Sequence, residues 1–194
     1  MSARAIAAIV GVALQASIAV AQPVDRPEPI FEAQQLDATA FSAPAGAGIG
    51  SSDPGVVVLS GVDADAPSSG VPGISFMLPP VVELIASGSV VEVTVTARRP
   101  SVNGAARFAA AYSTNDVGNS GWRQFDLQDD WQDFTFSYAV PELEKGHLDY
   151  IGFIPDVDGA GGTIELRAVA VRVTSDTPPL RSVSRGPNPD DLAF

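Results

Sequence analysis

The sequence predicts an all-β protein, an antiparallel β-sandwich of about eight strands in one domain with flexible ends. Three observations lead there. Short runs rich in Val, Ile, Phe and Thr alternate apolar with polar residues, as half-buried strands do. Clusters of Gly, Pro, Asn and Asp punctuate those runs. No segment carries a helical period over ten residues.

In chain order, Ile30 to Ile49 reads as an opening strand followed by a loop. Strands are then expected at Val56–Val62, Gly73–Leu78, Val90–Ala97, Ala105–Ser113, Trp122–Leu127, Phe134–Val140, Leu148–Ile154 and Thr163–Thr174. Their breakers are Asp63–Gly70, Pro79-Pro80, Arg99-Pro100, Asn103-Gly104, Asn115–Gly121 and Asp156–Gly162. Leu143–Gly146 has room for a turn of helix and no more.

Alternation assigns the faces, because strand side chains point to opposite sides every second residue. Val91, Val93 and Val95 oppose Glu92, Thr94 and Thr96; Phe134, Phe136 and Tyr138 oppose Thr135, Ser137 and Ala139. Ile151 and Phe153 oppose Tyr150 and Gly152. In the last strand, Ile164 and Leu166 differ in parity from Val169, Val171 and Val173, so a bulge near Arg167-Ala168 is expected to bring all five to the core. One apolar and one polar face per strand, without helices, implies two sheets packed face to face.

Residues 1–21 carry one positive charge, Arg4, an apolar run from Ala5 to Leu14 and the small-residue exit Ala19-Val20-Ala21, the pattern of a signal peptide. The run is shorter than the ~20 residues a spanning helix needs. Cleavage after Ala21 leaves 173 residues with ten basic against 23 acidic side chains. The expected location is secreted or periplasmic. Residues 22–29 read as a linker, 30–174 as the sandwich domain and 175–194, with four prolines and no alternation, as a disordered tail.

Composition removes much chemistry. With no Cys there is no disulfide framework, thiolate metal site or Cys nucleophile, and a single His, His147, precludes a two-histidine mechanism. A formal charge of −12 argues against nucleic acid as a partner. Gly118-Asn119-Ser120-Gly121 resembles a serine-nucleophile loop, but no feature supports a triad. Nothing singles out a pair of carboxylates for glycoside hydrolysis, and a non-enzyme is expected.

The order Trp122-Arg123-x-Phe125, Trp131-x-x-Phe134-x-Phe136, Val140-Pro141 and Leu148-Asp149-Tyr150-Ile151-Gly152-Phe153, followed by a Gly-rich turn and a closing strand, resembles the galactose-binding-like β-jelly-roll carbohydrate-binding modules of bacterial secreted proteins. The resemblance covers about two-thirds of the mature chain and rests mostly on core spacing. It implies an eight-stranded jelly roll that binds glycans without catalysis, often with a structural calcium ion. Where such modules carry acidic residues in the closing strand, this chain has Leu166-Arg167-Ala168-Val169. No cofactor is expected beyond that calcium.

The polar strand faces supply the candidate ligand residues. Trp122 and Gln124 lie opposite Phe125 and Leu127, and Tyr150 lies opposite Ile151 and Phe153. Outward indole and phenol rings suit stacking on a pyranose, with polar neighbours binding its hydroxyls. Glu92, Thr94 and Thr96 join Gln124 as hydrogen-bonding candidates on condition that their strands share a sheet. The alternative role for Trp122 is to cap the sandwich end beside the Gly118–Gly121 turn. Trp131 is assigned to the core edge and Tyr112 to the core. The acidic groups Asp63-x-Asp65, Asp129-Asp130-x-x-Asp133 and Asp156-x-Asp158 are read as solvated turns in preference to metal sites. The expected function is binding of a cell-envelope or exopolysaccharide glycan. The alternative is a structural or assembly protein that uses a sandwich face as a protein interface.

Overall fold

The computed structural model describes residues 27–61, 73–114, 117–143, 146 and 148–175. The expected signal peptide, most of the linker, Asp63, Asp65, His147 and the tail beyond Ser175 lie outside the described residues. Within them the strands are β1 (Phe31–Ala33), β2 (Phe41–Ser42), β3 (Gly48–Asp53), β4 (Val56–Ser60), β5 (Ile74–Met77), β6 (Val90–Arg98), β7 (Arg107–Ser113), β8 (Arg123–Asp126), β9 (Gln132–Ala139), β10 (Tyr150–Ile154) and β11 (Thr163–Ser175). One α-helix, α1 (Pro80–Ala86), joins β5 to β6, and a single 3-10 turn, Ala38–Ala40, precedes β2.

Two antiparallel sheets form a sandwich. The first runs β3-β4-β11-β6-β9, with β1 also on β11; the second contains β10-β7-β8. The β2–β5 pair extends the second, because Gly73 bridges Phe153 and the Leu78 N–H donates to the Asp149 carbonyl at 2.9 Å.

The alternating residues meet between the sheets. Val57, Leu59, Val91, Val93, Val95, Phe108, Tyr112, Ile151, Phe153 and Ile164 are fully buried, each apolar side chain contributing about 1.5–3 kcal/mol relative to exposure. Phe108, Phe125 and Phe134 form a ring cluster with centroids 5.1–5.4 Å apart.

The bulge lies where it is needed. Pairing steps from Leu166–Ala97 to Ala168–Thr96, leaving Arg167 unpaired in the register and exposed. That one-residue slip turns Val169 and Val171 inward with Ile164 and Leu166, all fully buried, and lays Val173 against the core.

Three features depart from expectation. The stretch read as a loop contains β2 and the start of β3, because the β3–β4 ladder orders Gly48-Ile49-Gly50-Ser51-Ser52-Asp53, a run with few strand-forming side chains. The Pro79-Pro80 breaker starts a helix, since proline is tolerated at the first helical position. Trp131 is half-buried and packs outside the core, with the Arg98 and Arg167 guanidinium carbons 4.6 and 4.8 Å from its ring centroid. In the expected helical turn, Leu143 and Gly146 are not helical, and residues 144 and 145 lie outside the described residues.

Candidate ligand-binding face

The outward side of the β8–β7–β10 sheet gathers three of the five candidate residues. On β7, Arg107, Ala109, Ala111 and Ser113 alternate with Phe108, Ala110 and Tyr112, which face the opposite sheet; Ala109, Ala111 and Ser113 are themselves buried, as are Gly152 and Ile154 of β10. Tyr150 is registered with Ser113, Gly152 with Ala111 and Ile154 with Ala109. Across β8, Gln124 pairs with Ala109 and Asp126 with Arg107. From Arg107 to Ser113 this row measures about 20 Å at ~3.3 Å per residue, and its accessible groups are Arg107 and Gln124 towards one end and Trp122 and Tyr150 towards the other.

Trp122 enters from the turn before β8. That turn is laced to β7: the Tyr112 N–H donates to Ser120 Oγ, the Ser120 N–H to the Tyr112 carbonyl, both at 2.9 Å, and the Gly121 N–H to Asn119 Oδ1 at 2.8 Å. The Gly-Asn-Ser-Gly string is thus turn chemistry, with Ser120 spent on backbone. The indole is half-buried and packs against the core. Its Cη2 reaches 3.5 Å from the place a Cβ would take on Gly73, across the β10 side of the small-residue floor. Gly73 cannot carry a side chain there: at φ +47°, a Cβ would meet the Phe153 carbonyl oxygen at 2.4 Å. Tyr150 is half-buried on the same outward side.

At the opposite end of the row, Arg107 makes a two-pronged ion pair with Asp158, its Nε donating to Oδ2 at 3.3 Å, and donates from Nη1 to Gln124 Oε1 at 3.3 Å. The hydrogen bond from Arg107 holds the Asp158 carboxyl below its usual range. The face therefore has two aromatic rings at one end and a charged and amide cluster at the other, with buried small side chains between them.

Glu92 and Thr94 do not join this face. They sit on β6, in the other sheet, with Thr96 on the same outward side. Thr94 Oγ1 lies 3.3 Å from Thr135 Oγ1, and Thr96 donates to Asp133 at 2.6 Å. The shared-sheet condition is unmet, so one ligand cannot touch Glu92 or Thr94 together with Trp122. Sequence reasoning missed Arg107, Ser113 and Asp158. The outward parity of β7, small apart from Arg107, was a signal for the first two; Asp158 arrives through a loop pairing that no local pattern announces.

Beneath the face lies a buried polar cluster. The Tyr112 hydroxyl donates to Asp149 Oδ2, while Asp149 Oδ1 is buried without a hydrogen-bond partner among the described residues. Asp149 directly precedes Tyr150. Burial pushes its carboxyl up to about 6 against the opposing Tyr112 bond, and the nearby buried Glu83 of α1 adds to the rise.

The residues present do not fit the calcium ion that the family resemblance implies. Arg167 occupies the acidic position of the closing strand and rests over Trp131, and Glu165 is paired with Arg98 at 2.6 Å. Asp156 accepts the Asp158 and Gly162 N–H groups at 3.0 and 2.8 Å, and Asp129 is paired with Arg99 at 2.8 Å. Among the described residues no group of three metal-ligating side chains converges.

Solved structures share this architecture. The N-terminal tandem CBM22-1–CBM22-2 domains of Paenibacillus barcinonensis Xyn10C superpose with a TM-score of 0.56 at 12% identity, over 81% of this chain and 50% of that one. The xylan-binding CBM22-1 domain of the same protein gives 0.51 at 11% identity, over 78% of this chain and 98% of that one. The shared fold is the β-sandwich jelly roll of these modules. This jelly-roll chain spans half the length of the tandem pair, and nearly all of the single module. No family model matches the sequence, and no curated protein matches it.

Proposed function

We propose that this carbohydrate-binding-module fold serves as an exported, non-catalytic domain that binds a cell-envelope or exopolysaccharide glycan across the outward side of the β8–β7–β10 sheet. The observation that carries the reading is the half-buried Trp122 sharing one outward face with Tyr150 and leading to the Gln124–Arg107–Asp158 cluster. Flat rings offer apolar surface to the C–H face of a pyranose, while amide, guanidinium and carboxylate groups suit its hydroxyls. A structural neighbour described as a xylan-binding domain supports the same ligand class. The leader-like residues 1–21 support export.

Affinity electrophoresis through gels containing xylan, lichenan or bacterial exopolysaccharides tests this. Retardation by at least one polymer, weakened in Trp122→Ala with the fold retained, is the expected result. An unretarded wild-type chain across the panel refutes it.

One observation favours a second reading, docking of another protein. Met77 and the outward side of α1 expose four apolar side chains, Met77 by 52%, Val81 by 53%, Leu84 by 76% and Ile85 by 45%, a grouping that marks interaction surfaces. Under that reading Leu84→Asp abolishes partner capture and Trp122→Ala does not.

A further inference from the structure

The opposite sheet carries a cavity, of 460 Å³, where β4, β6 and β11 meet the loop after β6. We propose that this cavity is a second saccharide-binding site, for a neutral, hydroxyl-rich sugar unit, and that the domain bridges two glycan chains through its two outer faces.

The cavity is built in tiers. At its base Val58, Glu165 and Arg98 stand side by side across three strands. Arg98 Nε donates to Glu165 Oε2 at 2.6 Å, with the Glu165 side chain only 8% exposed. At the rim Arg99 Nε donates to Asp129 Oδ1 at 2.8 Å. Each pair uses one guanidinium nitrogen and one carboxylate oxygen among the described residues, leaving the terminal N–H groups as donors and the second oxygen as an acceptor. A sugar hydroxyl both donates and accepts, and this lining offers both. Its charges cancel, so it does not attract a phosphate or a uronate chain.

The apolar group at the lip is Val102, 80% exposed, on a loop that is pinned in place. Asn103, at φ +55°, donates from its side chain to the Gly161 carbonyl at 2.9 Å, and its own carbonyl accepts the Thr163 N–H at 2.8 Å. An aliphatic group held at the lip of a polar cavity suits the C–H face of a pyranose. Trp131 does not serve that purpose, since Arg98 and Arg167 lie against its ring. Because Val58, Arg98 and Glu165 point outward from one sheet and Trp122 and Tyr150 from the other, ligands at the two sites are separated by the thickness of the sandwich.

The test uses the full chain with the soluble polysaccharide that most retards it among xylan, lichenan, neutral exopolysaccharides and the uronate polymer alginate. Gel retardation and the viscosity or turbidity of the mixture are both measured. The wild type is expected to cross-link the polymer. Val102→Glu and Arg99→Ala are each expected to stay retarded and lose cross-linking, as is Trp122→Ala, while Trp122→Ala combined with Val102→Glu runs freely. If Val102→Glu and Arg99→Ala match the wild type in both readouts while Trp122→Ala alone removes retardation, the second site is overturned and the first reading stands. If Val102→Glu alone removes retardation, the cavity binds sugar, but bridging and the Trp122 reading fall. Retardation by alginate only, abolished by salt, overturns the neutral ligand class.

Discussion

Asp149→Asn should make the protein more stable at neutral pH, and the gain should vanish in acid. The Asp149 carboxyl is buried, its Oδ1 has no partner, and Glu83 lies near it, which together push it from its ordinary 3.8 to about 6. Each pKa unit is worth ~1.36 kcal/mol between protonation states, so keeping Asp149 ionised costs the folded chain about 3 kcal/mol. A carboxyl raised by folding favours the folded state below its unfolded value and loses that contribution as pH rises through the folded value. The window therefore runs from about pH 4 to pH 6 or slightly above. Asparagine keeps an acceptor for the Tyr112 hydroxyl and cannot ionise. Urea unfolding, followed by fluorescence of Trp122 and Trp131, should give near-equal stabilities at pH 4. At pH 7.5 the variant should lead by up to about 3 kcal/mol, a rise in melting temperature of roughly 5–10 °C. Because the comparison is between two proteins at each pH, the other carboxyl groups cancel. A difference that stays constant from pH 4 to pH 7.5 refutes the reasoning.

Tyr112→Phe leaves both Asp149 oxygens without the hydroxyl, so it should destabilise by about 1–3 kcal/mol, more at pH 7.5 than at pH 4, in the same unfolding assay. Leu166→Ala, at a fully buried position beside the bulge, should cost about 2–5 kcal/mol, whereas Leu84→Ala on the exposed side of α1 should stay within ~0.5 kcal/mol. Adding a chelator should leave the melting midpoint unchanged, because the closing strand offers Arg167 where a calcium ligand would stand; a fall of several degrees would show a bound ion.

The eight expected strands could be read from the residues because a strand's two-residue period is local. Val91, Val93 and Val95 announce their inward side wherever β6 ends up, and the parity change between Leu166 and Val169 announces a bulge before any partner is known. Strand β3 was not visible, since its Gly- and Ser-rich run is ordered by β4 and not by its own side chains. Helix α1 was hidden for another reason. At seven residues it is too short to show a period, and its first residue, Pro80, looks like a terminator.

The same division governs the candidate site. Parity alone turned Trp122, Gln124 and Tyr150 away from the core, and equally Glu92 and Thr94, because pointing outward is a property of one strand. Which outward residues become neighbours depends on pairings between segments far apart in the chain: Tyr150 with Ser113, Gln124 with Ala109, Glu92 with Ser137 and Arg172. Long-range pairing leaves no mark in any short window, so only the folded chain could send Glu92 and Thr94 to the far sheet, draw Arg107 and Asp158 to Gln124, and enclose Arg98 and Glu165 in a cavity.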